Sequence, residues 1–307
     1  MERCIKDENF WSTASAVLFA GAVTLALVGC DVVSSWFSAA PDIKFLEHGE
    51  DYHAKPDFAQ VEHQYPILPA ELAKLSPEML NQHYDQEQID QIYARLKAGP
   101  IPDGPFDGDL FFPKGSSGEV RLAEIVGGIP GLAVELKSGM LERLGAALWK
   151  GKVFYRSERL LRNRIDETIL LKPLIEGDLD TIPTITVHGK EQWLMFPARV
   201  YCGQSLLDSR RESIVIDYFF TDELPGYRQR PDFLAGRNGL QVRDEIRMVR
   251  PGFYLGRAYL GKVLLLNFTL YSREIVQRDG DAFVKTGQVK EDCWPGTQSR
   301  NLLAVAQ

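Results

Sequence analysis

From Trp149 to about Glu274 the chain is a succession of short segments that alternate apolar and polar residues with a period of two, the periodicity of half-buried strands. The segments fall at 149–156, 167–172, 182–187, 192–201, 213–221, 243–249, 253–260 and 263–273. Pro251-Gly252 and Gly261-Lys262 separate neighbouring segments as tightly as hairpin turns do. Short strands in succession, with few helices between them, predict an antiparallel meander. About eight such strands are enough to close a barrel with a small interior. The last segment is the clearest. Leu264, Leu266, Phe268 and Leu270 form one wholly apolar face, and Val263, Leu265, Asn267, Thr269 and Tyr271 form the other, a pattern that fits a barrel wall with either face inward and a sandwich alike.

Upstream of the strands the texture is helical. Ser76-Pro77-Glu78 opens a helix, with Ser as N-cap and Pro at the first helical position. Residues 85–97 place Ile89, Ile92, Tyr93 and Leu96 on one helical face, and Gly99-Pro100 ends it. The turn-rich stretch 99–118 reads as a surface loop or a lid. Two further helical patterns follow at 119–126 and 132–148. In the second, Leu132, Leu136, Met140, Leu144 and Leu148 step by four and present an apolar face for packing on the sheet.

Composition excludes some classes. With 45% hydrophobic and 25% charged residues the chain has a globular balance. Its net charge of −7 gives no overall cationic surface, which argues against a nucleic-acid partner.

Residues 10–30 are apolar and carry no charge, and Arg3 and Lys6 precede them. This is the layout of a secretory signal peptide, although Glu2, Asp7 and Glu8 dilute its positive start. An uncleaved anchor helix is the alternative, since about 20 apolar residues can span a bilayer. Leu27-Val28-Gly29-Cys30 matches the lipobox, so the chain resembles a bacterial lipoprotein precursor. The resemblance implies cleavage before Cys30, a diacylglycerol on its sulfur and acylation of the new N-terminus. It places the mature chain on the periplasmic face of the cell envelope, attached to the membrane through Cys30. Asp31 resembles an inner-membrane retention signal. The expected organisation is a signal peptide over 1–29 and a lipidated tether over 30–70. A helical segment over 71–148 then packs on a barrel over 149–274, and 275–307 is a mobile or strand-exchanging extension. In an oxidising compartment Cys202 and Cys293 either pair or remain buried thiols.

Catalytic signatures are absent. The chain has no GxSxG elbow, no phosphate loop, no HExxH helix and no CxxC pair. No spacing of His, Cys or carboxylates points to a metal, and no cofactor is implied. The unusual residues are charged ones within apolar strands. Asp217 shares a face with Val215 and Phe219, and Glu245 shares one with Arg247 and Val249. If these charges point into a barrel, they form a paired network or hold a polar ligand group. If that face is solvated, they are surface ion pairs. Asp217 and Glu245 are the only candidates for an acid–base pair, and the balance falls against an enzyme.

Residues 145–152, Gly-Ala-Ala-Leu-Trp-Lys-Gly-Lys, resemble the GxWxG-type start of uncharacterised bacterial proteins with lipocalin-like barrels. Asn163 and the segment from Asp244 to Gly261 extend the likeness, which covers roughly residues 145–272. The resemblance implies that Trp149 floors a barrel whose cavity takes an apolar small molecule. The expected fold is therefore mainly β with a helical N-terminal part, an antiparallel lipocalin- or calycin-like barrel of about eight strands. Trp149, Phe154, Tyr218, Phe268 and Tyr271 would line the pocket, and Glu245 and Arg247 would meet a polar head. The expected function is binding of a lipid-like or hydrophobic molecule by an anchored periplasmic lipoprotein. Two alternatives stand beside it. One is an assembly subunit of an envelope complex with a protein partner. The other is an enzyme on a lipid or isoprenoid-like substrate.

Overall fold

A computed structural model describes residues 40–47, 56–112, 148–166, 172 and 175–297, all within the unit Ala39–Gln307. Nine strands are present among the described residues: β1 Gly104–Phe111, β2 Trp149–Tyr155, β3 Leu160–Asp166, β4 Thr184–Val187, β5 Lys190–Gln204, β6 Glu212–Asp217, β7 Val242–Arg250, β8 Phe253–Leu260 and β9 Val263–Tyr271. Every pairing is antiparallel. The order β3-β2-β1-β9-β8-β7-β6-β5 closes through a β3–β5 ladder, giving an eight-stranded barrel. β4 pairs only with β5 and stands outside the ring.

The expected fold class holds, but two wall strands come from unexpected places. β1 lies inside the turn-rich stretch 99–118 and upstream of the expected barrel segment 149–274. Its sequence, GPFDGDLF, carries the Gly and Pro of a loop. Phe106 and Leu110 nonetheless alternate into the interior core. Gly108 lies between them, and a Cβ there would sit 2.4 Å from the Trp149 ring. The glycine that weakens the strand signal is what lets the indole lie across β1. β3 was hidden differently. Leu161, Asn163 and Ile165 alternate as a strand requires, but the middle inward position is polar. The strand expected over 167–172 lies outside the described residues, Lys172 apart. So do the helices expected over 119–126 and 132–148, Leu148 apart.

Four short helices, α1 Phe58–Gln64, α2 Pro69–Lys74, α3 Pro77–Gln82 and α4 Gln86–Arg95, precede the barrel. Ser76 caps α3 as expected, and Asp85 with Gln88 forms a capping box on α4. Their apolar side chains, including Leu80, Ile89 and Ile92, together with Leu75 at the end of α2, cover Val249, Phe253 and Leu255 on the outer barrel face. The described residues thus form three apolar clusters: one inside the ring, one beneath these helices, and a smaller one of Ile165, Ile175, Ile182, Trp193 and Met195.

The C-terminal segment differs from the expected loose extension. Residues Arg273–Thr286 form α5, and the segment 291–293 beyond it is pinned. Cys293 is disulfide-bonded to Cys202 on β5. The backbone N–H groups of Gly99 and Ile101 donate to Glu291 and Asp292, both at 2.9 Å. No helix among the described residues is long and apolar enough to cross a membrane.

Candidate functional site: a polar cluster inside the barrel

A cavity of about 230 Å³ opens within the barrel, lined mostly by apolar side chains from seven of its strands. Leu110, Ile165, Phe196, Val242, Leu266 and Phe268 make up most of the wall. On it stand Trp149, Lys152, Asn163, Tyr218 and Asp244. Trp149 and Lys152 are three residues apart and would face opposite sides of a regular strand. A bulge between Trp149 and Gly151 brings both inward. Gly151 has φ +129°, and a Cβ there would lie 2.0 Å from the Phe106 carbonyl oxygen. Because Gly151 lies between Asp107 and Arg164 in the register, Arg164 reaches across it to Asp107 at 3.0 Å.

The polar side chains form one network. Lys152 Nζ lies 3.0 Å from Asp244 Oδ2 and donates to Asn163 Oδ1 at 2.9 Å and Tyr218 Oη at 2.6 Å. Asn163 donates to Tyr218 Oη at 2.9 Å and to the Phe196 carbonyl at 3.2 Å. Trp149 Nε1 donates to Asn163 Oδ1 at 2.9 Å. The Lys152 ammonium also sits over the rings of Trp149, Tyr218 and Phe268, 5.3–5.4 Å from each centroid. All four members other than Trp149 are buried.

Electrostatics follow from that burial. Desolvation is the largest influence on Lys152 and works against its charge, but Asp244 and Tyr218 together outweigh it and hold the lysine above its ordinary pKa, while burial pushes the Asp244 carboxyl above its own ordinary value despite the lysine beside it. Burial pushes the Tyr218 phenol up to about 12, so it is neutral at physiological pH. The site is therefore a buried ion pair dressed by a neutral phenol and amide.

Three of the seven expected lining residues are in this cavity: Trp149, Tyr218 and Phe268. Phe154 is inside the barrel in the packed part, edge-on to Phe106 at 5.8 Å. Glu245, Arg247 and Tyr271 are not in the interior. Strand phase puts them on the outer face, and Asp244, one residue away, points in. Arg247 is fully buried there, donating to Ser213 Oγ and to the carbonyls of Tyr93, Asp208 and Arg211. Glu245 accepts from Leu206 N–H at 2.9 Å and from Arg243. Tyr271 packs edge-on against Phe253 in the outer core.

None of the described cavities is lined by both Asp217 and Glu245, the expected acid–base pair. Asp217 faces Arg243 across the ladder and accepts from Tyr201 Oη at 2.8 Å, while Glu245 faces Val215. Lys152 and Asp244 were not singled out as site residues. The available signal is a single charged residue among apolar ones on one strand face, as Asp244 with Val242 and Ile246, but that pattern reads equally well for the opposite face. Among the described residues, Cys202, Glu212 and Cys293 have ligand atoms within 4.8 Å of one another, but the disulfide removes both thiolates as ligands.

No family model and no curated protein matches this chain. A solved structure of a protein from Thermomonospora curvata is similar over 62% of this chain and 89% of its own, at 18% identity and a TM-score of 0.29.

Proposed function

We propose that this chain is a lipid-anchored binding protein of a bacterial cell envelope that holds a small, largely apolar molecule inside its barrel. The observation that carries the reading is the cavity: an apolar chamber of about 230 Å³ with a few convergent polar groups on its wall. Ligand sites have this composition, because apolar area supplies the binding energy and a few fixed polar groups set orientation. The volume lies below the range of drug-sized pockets, about 300–1,000 Å³, so the part of the occupant held inside the barrel is compact. The address rests on the sequence: the apolar segment 10–30 ending in Leu27-Val28-Gly29-Cys30 supports lipidation at Cys30 and a periplasmic-facing anchor. The Cys202–Cys293 disulfide is in keeping with an oxidising compartment.

Native mass spectrometry of the full chain extracted from its host membrane tests the reading, with solvent extraction of the denatured protein alongside. A stoichiometric extra mass that leaves on denaturation is expected. An Ala258→Phe variant, which fills the cavity from β8, is expected to lose it. An apo mass for the native chain, with no bound molecule in the extract, would overturn the container reading.

A further inference from the structure

We infer that the cavity selects a compact, electrically neutral hydrogen-bond donor, an alcohol or phenol of about nine non-hydrogen atoms, and rejects carboxylates. This rests on the container reading and adds the chemical class of the occupant.

The argument is a count of donors. An ammonium has three N–H bonds. Those of Lys152 are taken by Asn163 Oδ1, Tyr218 Oη and Asp244 Oδ2. A side-chain amide has two N–H bonds, and those of Asn163 go to Tyr218 Oη and the Phe196 carbonyl. The single indole N–H of Trp149 goes to Asn163 Oδ1. The Tyr218 hydroxyl, already accepting twice, directs its proton to Asp244 Oδ2 at 3.4 Å. The other lining side chains are hydrocarbon. Every side-chain donor on the described wall is thus committed. Acceptor capacity remains: Asp244 lines the cavity, and its Oδ1 has no hydrogen-bond partner among the described residues. A ligand that brings an O–H meets a free carboxylate oxygen. A ligand that brings only acceptors meets none of the donors it needs, and its desolvated oxygen is left unpaired.

Charge points the same way. Lys152 and Asp244 already cancel, so an anionic ligand would leave a buried charge with no counterpart. The lysine therefore does not act as a carboxylate anchor, although a lone lysine in an apolar barrel would suggest one. Size sets the rest. A cavity of about 150 Å³ holds benzene. Scaling to about 230 Å³ gives room for roughly nine non-hydrogen atoms.

Four probes of matched shape separate the possibilities: α-methylbenzyl alcohol, acetophenone, cumene and benzoate. They differ in whether the group carried by the ring donates, only accepts, does neither, or is charged. Calorimetric titration of the full chain in mild detergent, after removal of bound material, is expected to rank the alcohol first. It should bind about tenfold or more tighter than acetophenone or cumene, with benzoate not binding. The Ala258→Phe variant should bind none of them. Acetophenone or benzoate binding as tightly as the alcohol would overturn the donor rule while leaving the container reading in place. If no probe binds, yet the native chain carries a stoichiometric mass, the size and class assigned here are wrong and the container reading stands. If neither is seen, both fall.

Discussion

Asp244 and Glu245 are neighbours in β7, yet they lie on opposite faces of the barrel wall. Asp244 lies 3.0 Å from Lys152 in the interior, and Glu245 accepts the Leu206 N–H at 2.9 Å on the outside. The distinction has a direct consequence. Glu245→Gln is expected to leave the affinity for α-methylbenzyl alcohol within about twofold, while lowering stability by about 1–3 kcal/mol. Titration and chemical denaturation of the same variant check this. A large loss of affinity without a loss of stability would place Glu245 at the ligand.

The Lys152–Asp244 pair is expected to behave as a unit. Both side chains are at most 6% exposed, so removing one leaves an uncompensated charge in the barrel. Lys152→Met should cost about 3–5 kcal/mol, whereas Lys152→Met with Asp244→Leu should recover most of it. A double-mutant cycle by urea denaturation measures the coupling. Additive losses would mean that the two groups are independently solvated.

Acid sensitivity should trace in part to Asp208. Burial works to raise its pKa, but the Arg210 fork and the Arg247 charge more than offset this and hold it below the ordinary 3.8. A depressed folded-state pKa contributes stability that is present above the unfolded value and is lost as pH falls through the folded one. The expected window is from about pH 4 downward. Asp208→Asn should be less stable near neutrality and flatter across that window in denaturation curves taken at several pH values. An unchanged acid slope would remove Asp208 from the account.

Reduction of Cys202–Cys293 should loosen the C-terminal segment. The bond closes a separation of 91 residues and holds the tail against β5. Its loss is expected to cost about 2–4 kcal/mol and to lower the melting temperature. Because the cavity lining contains neither cysteine, probe affinity below the new transition should persist. Loss of binding on reduction at low temperature would show that the tail supports the cavity.

The alternation of residues after Trp149 determined a run of antiparallel strands, since a period of two has few other uses, but it fits a barrel and a sandwich alike. Ser76-Pro77 determined where a helix begins, because an N-cap and its proline act locally. The pocket aromatics Trp149, Tyr218 and Phe268 were legible for the same reason, as large apolar groups on a strand must face one core or another. Which core was not legible. Here the outer face of β7 and β8 is buried as deeply as the inner one, because α1–α4 cover it, so Glu245 and Arg247 look as interior in sequence as Asp244 and Lys152. Period two fixes which residues share a face and leaves the direction of that face open. Only the closed ring decided it. β1 enters that ring from a stretch of glycines and prolines, and its Gly108 is explained by an indole 41 positions later in the chain, at Trp149. Asn163, polar at an inward position, breaks the strand pattern locally and makes sense only with Lys152, Tyr218 and Trp149 around it. Contacts of that range carry no local signal, because each residue's requirement is met by partners that the chain brings together only after the barrel has closed.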